Sequence, residues 1–176
     1  MNIDKTYAPT VIACLLTIVP CSNAGELPLD DTPLWQLAMY VGDWEIDETW
    51  EDGTEIWSRN EFRVGLGDEF LEIRTYAKDE EGNVYQRYFT IFAYDKLDQA
   101  VKSYGFTYDG TVTIVDNVKL DGSVADASVT SQWGEGDNQF RQTIRIASRD
   151  EYSWKVWTGN GNDWEMIMDG TWNRVD

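Results

Sequence analysis

From Trp44 to the C-terminus, apolar and polar positions alternate with period two. In the first run Trp44, Ile46, Glu48 and Trp50 share one face and Glu45, Asp47 and Thr49 the other. In the second, Ile56, Ser58, Asn60, Phe62 and Val64 oppose Glu55, Trp57, Arg59, Glu61 and Arg63. Successive residues of a strand point to opposite sides of a sheet, so each run predicts a strand with one face turned to an interior. Glu51-Asp52-Gly53-Thr54 joins the two as a hairpin turn, because Asp-Gly readily adopts the positive φ that tight turns require. Further runs follow at 70–78, 84–94, 100–108, 111–120, 123–133, 139–147, 151–157 and 164–175, separated by breaks rich in Gly, Asn and Asp. About ten strands spaced at roughly 8–12 residues, with no stretch long enough for a crossover helix, predict an antiparallel sandwich or barrel. Closure removes unpaired strand edges, so the expected architecture is all-β, an up-and-down barrel.

Upstream the period changes. Leu34, Leu37, Ala38 and Val41 fall at helical spacing, Pro33 suits a first helical position, Asp31 or Thr32 can cap, and Gly42 stops the turn. This short helix is expected to plug one end of the barrel. Residues 25–30 read as a linker, and the first 24 as an export signal. There Lys5 and the amino terminus precede the apolar run 11–19, and Ser22-Asn23-Ala24 offers small residues for cleavage. The run is too short to span a bilayer. A lipoprotein signal ending at Cys21 is the alternative, against which Pro20 stands where a small residue is wanted. The reading is a barrel domain at 31–176, exported to the periplasm or the exterior.

Both cysteines, Cys14 and Cys21, lie in the expected leader, and histidine is absent. The usual zinc sites, Ser-His-Asp and Cys-His arrangements and histidine-ligated haem are therefore not expected, and neither a metal nor a cofactor is assigned. The loops 134–138 and 159–163 carry oxygen ligands but lack the spacing of a calcium-binding EF-hand, and read as hairpin loops. Fourteen basic and 32 acidic residues give a net charge of −18. Such a field disfavours nucleic acid and anionic membrane and favours solubility or cation binding. Nine Trp, nine Tyr and six Phe exceed the ordinary needs of one core, so some rings are expected to line a cavity or a surface.

A short helix, then Gly42-x-Trp44 on the first strand, then meander hairpins, then Trp172 and Arg174 on the last strand, resembles the calycin superfamily, the lipocalins and their relatives. The resemblance implies that Trp44 packs at the closed end with Arg174 across its ring, a cation–π arrangement. The Leu34-x-x-Leu37-x-x-x-Val41-Gly42-x-Trp44 start and the Trp50-x-x-Gly53 hairpin are most similar to small exported bacterial barrel proteins of unknown function. Ten strands are also similar to nitrobindin-like haem barrels and fatty-acid-binding proteins, although the former use a proximal histidine that this chain lacks.

The interior of such a barrel is where a ligand would sit. Ser58, Asn60 and Phe62 share one face; on the fourth strand Tyr85, Arg87, Phe89 and Ile91 compete with Gln86, Tyr88, Thr90 and Phe92, and both faces are apolar. Arg87, if inward, is suited to meet a carboxylate at the base of an apolar pocket; if outward, it pairs with one of the many acids. Trp154 and Val156, with Met166, Met168 and Trp172, could form an adaptable apolar wall. Tyr104, Phe106 and Tyr108 add to the aromatic supply. The candidate ligand-binding set is thus Ser58, Asn60, Phe62, Arg87, Phe89 and Trp154, binding a small apolar or amphipathic molecule. Two other readings stay open. One is an isomerase, cyclase or lyase using Glu48, Arg87 or a tyrosine, Glu48 being notable because it shares an apolar face. The other is a solid barrel whose outer aromatics, such as Trp57 and Trp157, meet a partner or glycan.

Overall fold

A computed structural model describes residues 32–49, 53–136, 138–160 and 163–175. The expected leader, the linker, Asp31 and Trp50 lie outside these residues. Ten antiparallel strands form one closed barrel: β1 (Gly42–Thr49), β2 (Glu55–Gly65), β3 (Phe70–Lys78), β4 (Val84–Asp95), β5 (Ala100–Thr107), β6 (Val112–Asp121), β7 (Ser128–Glu135), β8 (Asn138–Ser148), β9 (Glu151–Gly159) and β10 (Trp164–Val175). Each strand pairs with its sequence neighbour and β10 returns to β1, the meander that the alternating pattern predicts.

The N-terminal helix, Pro33–Tyr40, is 3₁₀ rather than α. Its buried residues, Leu34, Leu37 and Tyr40, recur every third position, the period at which 3₁₀ side chains line up. The i to i−3 bonds Trp35 N–H to Thr32 O and Val41 N–H to Ala38 O, each 3.2 Å, bracket it. Thr32 enters in extended conformation, and its side chain makes no cap hydrogen bond. The helix packs into one end of the barrel, where the Tyr40 hydroxyl donates to Ala127 O at 2.8 Å. A second 3₁₀ turn, Val124–Asp126, leads into β7 at the same end.

Core residues concentrate at this closed end. Leu34, Tyr40, Trp44 and Ile46 are fully buried, and Phe62, Leu71, Ile146 and Tyr152 nearly so. The rings form one cluster: Tyr40 stacks on Phe62 at 5.7 Å, Trp44 meets Tyr152 edge-on at 4.9 Å, and Tyr152 stacks on Trp172 at 5.6 Å. Burying such rings contributes about 1.5–3 kcal/mol each, which makes this end the anchor of the fold.

Two seams interrupt the ladder. β1 pairs with β10 only at Asp43–Glu45 against Asn173–Val175, and β6 with β7 only at Lys119–Asp121 against Ser128–Thr130. Both sets lie at the closed end. Toward the other end the barrel divides into two leaves, β1–β6 and β7–β10.

Candidate functional site

Between the two leaves lies a cavity of about 1050 Å³, open at the end opposite the helix. That is at the upper edge of the usual range for small-molecule sites, roughly 300–1,000 Å³. Cross-strand register orders the wall of the first leaf into rows. Asn60, Thr75, Tyr88 and Thr107 stand side by side on β2–β5, and Ile73, Thr90, Gly105 and Thr113 on β3–β6. The second leaf presents Trp133 stacked on Phe140 at 5.9 Å, then Trp154 edge-on to Trp172 at 6.2 Å, with Val156 and Met168 beside them. The first leaf mixes these hydroxyl and amide groups with Ile46, Phe62, Ile73 and Phe92, and the second is mainly aromatic and aliphatic, with Ser131 and Gln142 among its polar groups.

Of the residues singled out in the sequence, Ser58, Asn60, Phe62, Arg87 and Trp154 line this cavity. Ser58 donates its hydroxyl to Tyr76 O at 2.6 Å, which anchors it to the wall. Asn60 is the hub of a relay: Thr75 Oγ1 donates to Asn60 Oδ1 at 2.6 Å, and Asn60 Nδ2 donates to the Tyr152 hydroxyl at 2.9 Å. Burial pushes the Tyr152 phenol well above its ordinary pKa, only partly offset by the Asn60 amide, so the phenol stays neutral. Phe62 forms part of the floor.

Three placements correct the sequence reading. Phe89 lies outside the cavity: it pairs with Arg74 and Phe106 on the outer surface, stacked on Phe106 at 6.2 Å with the Arg74 guanidinium 5.9 Å from its ring. Arg87 is exposed at the open rim, not at the base, with its guanidinium 5.3 Å from the Tyr88 ring. The cause is a β-bulge, since Thr75 pairs with Tyr88 while Tyr76 pairs with Gln86, leaving Arg87 as the extra residue. Met166 likewise parts from Met168: a bulge between them leaves Met166 exposed opposite Trp157, while Met168 faces inward opposite Val156. Tyr104 and Phe106 belong to the outer face as well.

Glu48 does not line the cavity. Its Oε1 accepts the Thr171 backbone N–H at 3.0 Å, bridging the β1–β10 seam where ladder pairing has stopped. The carboxylate does the work of a missing strand carbonyl, which accounts for an acid on an apolar face.

Sequence reasoning missed Thr75, Gly105 and Thr113, and left Thr90 on the face of β4 that competed with the one carrying Arg87 and Phe89. Thr75 was within reach, because it shares the parity of Leu71, Ile73 and Ala77 on β3. Gly105 is the more informative. Its φ is not in the left-handed region, and a Cβ built there would meet Thr113 Cβ at 3.8 Å and Thr90 Oγ1 at 3.9 Å, ordinary contacts. Neither backbone nor crowding demands glycine, so what the missing side chain provides is a notch between two threonines.

The charged residues lining the cavity, Asp47, Glu55, Lys78, Asp79, Glu80 and Arg87, all belong to the open-end portions of β1–β4 and their turns. Among the described residues, none lines the deeper cavity. No cluster of His, Cys, Asp or Glu suited to a metal occurs among them either.

No protein-family model matches this sequence, and no curated protein does. Among solved structures, the chain is similar to that of Rv2717c from M. tuberculosis, with a TM-score of 0.57 and 12% identity over 81% of this chain and 97% of that one. At this identity the likeness shows the fold, an antiparallel barrel, and the fold alone.

Proposed function

We propose that this protein binds a small apolar or amphipathic molecule inside its barrel. The observation that carries the reading is the cavity of about 1050 Å³ walled by aromatic and hydroxyl side chains, where a solid barrel would interdigitate core residues instead. Glu48 Oε1 is engaged by the Thr171 N–H and the residue lies outside the cavity lining, which favours binding over catalysis by that carboxylate. The reading includes kinship with the calycins, supported by the Trp44–Arg174 pair at the closed end. It also includes export, supported by the apolar run 11–19 and the small residues 22–24. Native mass spectrometry of freshly purified protein, joined to fluorescence of the lumen tryptophans Trp133, Trp154 and Trp172 during titration with apolar compounds, tests it. A retained or added compound that shifts the emission supports the reading; a barrel that takes up nothing overturns it.

A further inference from the structure

We infer that the lumen is built for an uncharged amphipathic ring compound and rejects the carboxylates that many lipid carriers accept. The inference rests on the binding reading above and names the ligand class. Its first support is the distribution of charge. Every charged lining residue stands at the open rim, four acids against two bases, on a protein of net charge −18. An anion is repelled on approach and, once inside, finds no cation among the described residues of the deeper wall to pair with. A desolvated charge without a partner costs several kcal/mol. A cation drawn in by the rim acids meets the same difficulty, because among the described residues no carboxylate lines the deeper wall.

The second support is the difference between the leaves. Trp133, Phe140 and Trp154 offer the faces and edges on which a ring packs. Opposite them Thr90 and Thr113 flank the vacant position at Gly105, each with a hydroxyl able to donate and accept. A ring with a hydroxyl, carbonyl or amide edge packs on the rings and hydrogen-bonds Thr90 and Thr113, whereas a saturated chain leaves those hydroxyls unused.

The test uses two probes with one skeleton. N-phenyl-1-naphthylamine is neutral; 8-anilino-1-naphthalenesulfonate adds a single negative charge. The neutral probe is expected to bind with enhanced fluorescence and the sulfonate at least about tenfold more weakly, a ratio that persists in about 1 M salt, where screening shortens the Debye length to about 3 Å. Thr90→Lys, with Thr113→Lys as a second variant should the first fail to fold, is expected to raise sulfonate affinity by about tenfold or more by supplying the missing counter-charge. The isosteric Thr90→Val is expected to weaken 1-naphthol several-fold while leaving naphthalene unchanged. Equal binding of both anilino probes, or recovery of sulfonate binding in salt, overturns the charge selection and leaves the binding reading intact. Equal losses of naphthol and naphthalene overturn the polar edge. If neither anilino probe binds, the binding reading itself fails.

Discussion

The Arg174 guanidinium carbon sits 4.1 Å from the centre of the Trp44 ring, and the same side chain holds the helix that closes the barrel. Nη1 donates to Val41 O at 2.9 Å, Nη2 to Met39 O at 2.6 Å, and Nε to Arg149 O at 2.9 Å. Trp44 contributes from below by donating Nε1 to Tyr40 O at 2.7 Å. Helix ends leave their last carbonyls without partners, and here the Arg174 and Trp44 side chains supply them. Arg174→Met, which keeps the stem and loses the fork, is expected to cost about 2–4 kcal/mol in urea unfolding. Arg174→Lys should recover only part of that, because an ammonium cannot reach three carbonyls in one plane. Gly42→Ala should be comparably damaging: φ is +134°, and a Cβ would collide with Arg174 Nη1.

Asp43 gives stability a pH dependence. Burial by itself would raise its pKa, but hydrogen bonds and charge from Arg63 and Arg59 outweigh it and hold the carboxyl below the usual range. An aspartate in the unfolded chain titrates near about 3.9. With the folded value lower, the contribution is fully present above that pH and is lost as pH falls through the folded value. The gap in unfolding free energy between wild type and Asp43→Asn should therefore be widest near neutrality and close below about pH 4. A gap that stays constant through this range would show that the carboxylate is not its source.

Glu48 should matter as an acceptor and not as an acid. Glu48→Gln retains an oxygen for the Thr171 N–H and should leave stability within about 0.5 kcal/mol. Glu48→Leu strands that donor and should cost about 1–3 kcal/mol, with faster hydrogen exchange at the Thr171 amide as its local signature.

Gly105→Ala separates folding from capacity. The backbone there is ordinary and the space is free, so removing a glycine from a strand should stabilise the barrel by about 0.4–1 kcal/mol. The same methyl fills the notch between Thr90 and Thr113, so affinity for 1-naphthol should fall. Thermal unfolding and fluorescence titration moving in opposite directions are the expected pair.

The alternation of apolar and polar residues carried the architecture, because a strand's two faces see different solvents and the sequence must record that difference. It failed on β4, where Phe89, Ile91, Thr90 and Phe92 make both faces tolerably apolar and a bulge changes the parity at Arg87. It failed again between Met166 and Met168. A bulge is one extra residue in one strand relative to its neighbour, so it belongs to the pairing and leaves no mark in either strand alone. The helix type was in fact encoded, since Leu34, Leu37 and Tyr40 keep a period of three; reading Ala38 and Val41 with them gave the α pattern instead. The notch at Gly105 went unseen for a different reason, as a glycine in a strand signals its purpose only once its neighbours across the ladder are known.

The seams also give the charge a role. A closed barrel ordinarily resists self-association because it has no edges, but this one regains short edges where its ladder stops. On β6, Val112 and Ile114 are each 55% exposed and have no ladder partner on β7. Mutual repulsion at −18 opposes the pairing of such an edge with another molecule's. Colloidal stability then hangs on ionised carboxylates, and light scattering should register association as acid or concentrated salt removes that repulsion, at conditions where the fold itself still stands.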